Sequence, residues 1–155
     1  MGHLAKKMKG FTLIELLIVL AILVIVGVLS VPFFQSFQVS SDLNTYTQTI
    51  SQALQKVQQQ ALAGQNNLAW GVYFDESNKR IVLYQGIDYS SRNQLYDFEM
   101  GYPSIFTLVT SFGNDINFAS QTGIPSVNGN ITITSRNNET RIINISSIGL
   151  IQIND

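Results

Sequence analysis

Lys9-Gly10-Phe11-Thr12-Leu13-Ile14-Glu15 opens a run, FTLIELLIVLAILVIVGVLSVPFF over residues 11–34, in which Glu15 is the sole charge. The run is longer than the about 20 residues, at about 1.5 Å each, that cross a bilayer. Ahead of it stand Lys6, Lys7 and Lys9 with no acid. By the positive-inside rule they place the N-terminus in the cytoplasm and the bulk of the chain beyond the cytoplasmic membrane. Two ordinary readings compete. A cleaved secretory signal has an apolar core of about 7–15 residues and a small-x-small site. This run is longer, and Val28-Leu29-Ser30 is only a tolerable site. A plain anchor accommodates the length but leaves Glu15 unexplained, because a carboxylate inside a spanning helix costs about 2.5–3.5 kcal/mol.

Composition narrows the classes further. The chain has 155 residues, 45% apolar and 12% charged, with one His and no Cys. So little charge with ordinary aromatic content argues against disorder and for membrane or packed assembly. Without cysteine there are no disulfides, Cys-based zinc sites or thiol catalysis. His3 lies ahead of the apolar run, so the body offers no imidazole as general base or metal ligand. No catalytic constellation, metal or cofactor is expected. Residues 64–155 hold five basic side chains (Lys79, Arg80, Arg92, Arg136, Arg141) against eight acidic ones. That balance argues against nucleic acid as a partner, since phosphate contacts need a basic patch.

The helical pattern continues past the apolar run. Leu43, Tyr46, Ile50, Leu54, Val57 and Ala61 recur at steps of three or four among Gln, Ser, Thr and Asn. This spacing predicts an amphipathic helix with Gly64 as its stop. One helix is expected from about residue 12 to about residue 63, some 75–80 Å long. Gly27 and Pro32 mark its weak point: proline removes a backbone hydrogen bond and clashes with the preceding turn, at about 3 kcal/mol, and glycine adds about 1 kcal/mol.

From Leu68 the apolar spacing shortens to strand length. Residues 69–75 and 80–85 flank Asp75-Glu76-Ser77-Asn78-Lys79 as a hairpin. Further strands are expected at 105–110, 115–119, 130–135, 140–145 and 149–153, with residues 86–104 as an irregular loop. Alternation such as Ile131/Ile133 suits antiparallel strands with one wet face. The fold class is α+β: a long N-terminal helix packed on a β-rich head of antiparallel sheets. Its parts are a leader (1–10), an apolar helix (11–34), an amphipathic helix (35–63) and the head (64–155).

The stretch from Lys9 to Glu15, followed by an unbroken apolar helix, resembles the processing and assembly signal of type IV prepilins and pseudopilins. The resemblance implies a prepilin peptidase cutting between Gly10 and Phe11, and N-methylation of the new Phe11 amine. It further implies that Glu15 pairs with the terminal amine of a neighbouring subunit in a filament. Glycine suits the cleaved position, since it tolerates backbone conformations that other residues cannot adopt. A partner's ammonium makes a buried carboxylate tolerable. Residues 27–32 correspond to a stretch that often unwinds on assembly in that family. The order of helix, hairpin, loop and strands resembles the H-type minor pseudopilins. Many major pilins close a C-terminal loop with a disulfide, which this chain cannot do. The resemblance implies a structural subunit, a minor pilin by subtype, of a type IV pilus or related pseudopilus, with a type II secretion pseudopilin as the alternative. Its implied partners are other pilin subunits, the peptidase, the assembly platform and membrane lipid before assembly. Its implied location is the cytoplasmic membrane, then an extracellular or periplasmic filament. A membrane-tethered, non-polymerising β-rich binding protein is the rival from another class.

Smaller constellations carry less. Tyr89, Arg92, Tyr96 and Tyr102 in the 86–104 loop fit either a contact surface, since such residues dominate interface hot spots, or a flap packed over the sheet. Asp75, Glu76 and Asn78 offer oxygen ligands without a calcium-loop spacing and equally suit a turn. The acceptor patterns at Asn130, Asn138 and Asn144 are expected by chance in so Asn- and Thr-rich a segment. From the Gly10–Phe11 junction, the mature chain is expected to begin at an N-methylated Phe11. Intact-mass spectrometry of membrane or filament material checks this; a mature chain that retains residues 1–10, or starts after Ser30, refutes it.

Overall fold

The computed structural model describes residues 10–64 and 67–154, without the side chains of residues 29–33. The expected leader residues 1–9, with Lys6, Lys7 and Lys9, lie outside the described residues, as does the side chain of Pro32. Helix α1 (Leu13–Leu62) is followed by β1 (Trp70–Asp75), β2 (Arg80–Gln85), β3 (Asn93–Gly101), β4 (Thr107–Thr110), β5 (Asp115–Phe118), β6 (Gly129–Thr134), β7 (Thr140–Ile145) and β8 (Ile151–Asn154). The chain divides into two compact units, Met1–Phe37 and Gln38–Asp155.

In the first unit the apolar side chains from Phe11 to Val28 are exposed on every side of α1. So large an apolar surface marks a contact with lipid or protein. Among the described residues no helix is long and apolar enough to cross a membrane; the described side chains of this run end at Val28, short of the about 20 residues a span needs. α1 is assigned as one helix across residues 27–32.

The second unit is built around the stripe read from the sequence. Leu43, Ile50, Leu54, Val57 and Ala61 are all buried, with Ala53 beside them. Thr47 is buried in the same stripe and satisfies its hydroxyl by donating to the Leu43 carbonyl at 2.8 Å. The stripe packs on two antiparallel four-stranded sheets ordered β3-β2-β1-β5 and β4-β6-β7-β8. Val72, Phe74, Ile81 and Leu83 come from the first sheet, and Leu108, Ile131, Ile133, Ile143 and Ile145 from the second.

The β1–β2 hairpin pairs Trp70 with Gln85 through to Asp75 with Arg80. Its turn is held by Asp75, which accepts from the Asn78 backbone N–H at 3.1 Å and from the Asn78 side-chain amide at 2.7 Å. Gly71 sits opposite Tyr84 on this ladder, and a Cβ there would strike the Tyr84 ring. The glycine is therefore the space in which the buried tyrosine lies.

One expectation fails. Residues 86–104 are not an irregular loop throughout, because β3 occupies Asn93–Gly101 and pairs with β2, Arg80 opposite Gly101 and Leu83 opposite Phe98. The strand was legible as the alternation Tyr96, Phe98, Met100 with Asp97 and Glu99 between them. As an edge strand it is mostly exposed, so its apolar content is thin, and the charges read as loop.

A fragment beginning at Gln38 is expected to fold, show β-rich circular dichroism and ignore reductant. Replacing fully buried Leu54 by Ala should lower its stability by about 2–5 kcal/mol, as in other buried Leu→Ala changes. Chemical denaturation of both proteins measures this, and an unchanged midpoint would mean that the stripe does not hold the sheets.

Candidate assembly and contact surfaces

At the start of α1, Gly10 and Phe11 are exposed and precede the helix, and a Cβ at Gly10 would meet nothing within 4 Å. Thr12 is the N-cap. Its Oγ1 accepts the Glu15 backbone N–H at 3.3 Å, and its carbonyl accepts the Leu16 N–H at 3.2 Å. Thr12-x-x-Glu15 is thus one half of a capping box. The acid in the first turn is also favoured by the helix dipole. The sequence reading had not assigned Thr12, although a threonine three residues before a glutamate is a recognised start signal. The cap uses the backbone of Glu15. Among the described residues its carboxylate makes no hydrogen bond or ion pair.

The four residues of the proposed contact loop do not form one surface. Tyr89 stacks on Tyr73 with ring centroids 3.8 Å apart and planes 7° off parallel. The Arg92 guanidinium lies 3.8 Å over the other side of Tyr89, donates from Nε to Asp97 at 2.8 Å and from a terminal nitrogen to the Tyr89 carbonyl at 2.8 Å. Asp115 fastens the same segment to the sheet, accepting from the Tyr84 hydroxyl at 2.5 Å and from the Tyr89 backbone N–H at 3.1 Å. Burial, reinforced by the Asp115 carboxylate, pushes the Tyr84 hydroxyl well above the ordinary tyrosine pKa. Tyr89 and Arg92 therefore belong to a packed flap.

Tyr96 is elsewhere, edge-on to Trp70 with centroids 6.0 Å apart. Tyr102 donates to Glu76, which also pairs with Lys79 and accepts the Leu108 backbone N–H at 3.4 Å. Burial and that carboxylate raise the Tyr102 pKa. The Asn78 and Arg80 contacts hold Asp75 below the usual carboxylate range. Asp75 and Glu76 thus bind the chain's own turn, and among the described residues no cluster of three or more His, Cys, Asp or Glu could hold a metal.

Residues 5–31 match the family model described as the prokaryotic N-terminal methylation motif. No curated protein matches the chain in sequence. The fold is similar to that of the minor pseudopilin EpsH from the type 2 secretion system of Vibrio cholerae. The TM-score is 0.57 at 13% identity, over 73% of this chain and 96% of that one. The chain thus carries an N-terminal methylation motif, and its fold is like that of a minor pseudopilin.

Proposed function

We propose that this chain is a minor structural subunit of a type IV pilus or related pseudopilus. The observation that carries the reading is the union of the methylation motif with an apolar helix whose side chains find no cover within the chain. In this reading residues 1–10 are the leader, and a prepilin peptidase removes them at Gly10. Phe11 becomes the methylated N-terminus. Residues 11–34 anchor the subunit in the cytoplasmic membrane, N-terminus inwards, and then enter the filament core. Residues 35–63 and 64–155 form the head. Glu15 sets the axial register by meeting a neighbour's terminal ammonium, and residues 27–32, with Gly27 and Pro32, are where α1 unwinds as subunits pack. Other pilin subunits and the assembly platform are the partners, and no cofactor or catalytic residue is required. A pseudopilin of a type II secretion system is the second reading, favoured by the fold likeness to EpsH.

Glu15→Ala tests the proposal. Breaking one side of a buried ion pair costs about 3–5 kcal/mol, whereas losing an unpaired carboxylate makes a spanning helix less costly to insert. The variant should accumulate in membranes, still be cut after Gly10, and enter filaments poorly. Its amount in sheared filaments against the membrane fraction is the readout. Incorporation equal to wild type at several expression levels would favour a tethered, non-polymerising protein.

A further inference from the structure

β3 is the exception among the edge strands of the head. β4, β5 and β8 have four residues each, whereas β3 has nine. The loop after β5 covers the outer edge of that strand, where the Ser126 backbone N–H donates to the Asn117 carbonyl at 2.8 Å. At the end of β3 the Tyr102 backbone N–H donates to the Lys79 carbonyl at 2.9 Å. By the alternation of an antiparallel ladder, Phe98 and Met100 therefore bond to β2, and Glu99 and Gly101 turn their N–H and C=O groups outward. Among the described residues nothing pairs with those outward groups. A row of unpaired donors and acceptors is a template for another strand, and β3 has no proline or lysine to blunt it.

Beside that edge, α1 and the sheet leave a groove of about 170 Å³. Leu83, Phe98 and Met100 line its strand side, and Gln52, Ala53 and Lys56 its helix side. The Lys56 ammonium stands over the Phe98 ring, 5.0 Å from its centroid. Lys79, Arg80 and Arg92 are each paired with a carboxylate, whereas among the described residues Lys56 is not. The acids of β3 are engaged elsewhere, Asp97 by Arg92 at 2.8 Å and Glu99 by Arg80 at 2.9 Å. Lys56 is thus the sole charge lining the groove.

We propose that this groove binds an extended acidic segment of another polypeptide as a strand added to β3. Glu99 and Gly101 hold the backbone of that segment. One of its apolar side chains enters the groove against Leu83 and Met100, and an Asp or Glu two residues along meets Lys56. The spacing follows from the pleat, because side chains on one face of a strand recur every second residue. The sign of the charge follows from Lys56. A wholly apolar occupant would cover the ammonium and give it no counter-charge, and a basic one would set like charges together. Main-chain bonds give strand addition its affinity, and alternate side chains give it specificity. A small carboxylate would engage Lys56 and leave the strand edge unused, so the two features together favour a peptide.

The test pans a phage-displayed library of random peptides on the full chain held in lipid nanodiscs. Enriched sequences should carry an apolar residue with Asp or Glu two positions away, and selection on Lys56→Glu should replace that acid by Lys or Arg. A fluorescein-labelled copy of the most enriched peptide, followed by anisotropy, should bind Lys56→Gln at least tenfold more weakly than wild type. Lys56 is exposed, so both variants should keep the wild-type circular dichroism. Two changes to the peptide test the site on the unaltered protein: amidating its acid, or N-methylating alternate backbone amides, should each weaken binding at least tenfold. Arg136→Gln, which removes an exposed cation from the β6–β7 turn, should change nothing. No enrichment over empty nanodiscs, enrichment without the acid, or equal weakening in Arg136→Gln overturns the proposal. Binding that survives N-methylation overturns the added strand. Displacement of the peptide by unlabelled wild-type chain would make a second copy the occupant and overturn a foreign segment.

Discussion

The burial of one helical stripe is the constraint on which the head depends. Leu43, Ile50, Leu54, Val57 and Ala61 face two four-stranded sheets and share one core with the inward side chains of both. A sheet with one apolar face must cover it. The helix in turn has one stripe to offer, so it takes both sheets side by side. With no cysteine in the chain, this packing and the hydrogen-bonded flap carry the cohesion that disulfides supply in many small secreted domains. The partly exposed ion pairs, such as Arg80 with Glu99, add little, since such pairs are worth about 0–1 kcal/mol.

What was legible in the sequence follows from the same physics. The helix could be read to within a residue at each end because its apolar period is strong and Gly64 stops it. The interior strands β1, β2, β6 and β7 could be read because each presents alternating or continuous buried residues. β3 escaped because its apolar residues alternate with Asp97 and Glu99 in a stretch of tyrosines and polar side chains, whereas the edge strands β4, β5 and β8 carry no such pair of acids. The fate of Tyr89, Arg92, Tyr96 and Tyr102 could not be read at all. Tyrosine and arginine serve equally in a contact surface and in a packed flap. Only the positions of Tyr73, Asp97, Asp115 and Glu76, distant in sequence, decide which.

The two units answer to different solvents. In the head, polar groups are placed where partners exist: Thr47 bonds back to its own helix, and Gln58 bridges two loops. In the first unit every large side chain from Leu13 to Val28 is apolar except Glu15. Such a helix has no stripe and cannot choose a face, so a surrounding medium of lipid or of like helices must cover it whole. The single carboxylate is then the one feature that gives the segment an axial position.

The cap at Thr12 bears on how that position is held. A side-chain cap is worth about 1 kcal/mol, and here it is made to the backbone N–H of Glu15, leaving the carboxylate uncommitted among the described residues. Had the carboxylate turned back to complete the capping box, pairing with an outside ammonium would first break that bond. Because the Thr12 hydroxyl caps the turn, the helix start is ordered without the carboxylate. Helix initiation and the first-turn charge thus reside in separate groups, the threonine hydroxyl for one and the glutamate carboxylate for the other. A substitution at Thr12 that keeps Glu15 would fray the first turn and leave the carboxylate in place, whereas Glu15→Ala would remove the charge and leave the cap.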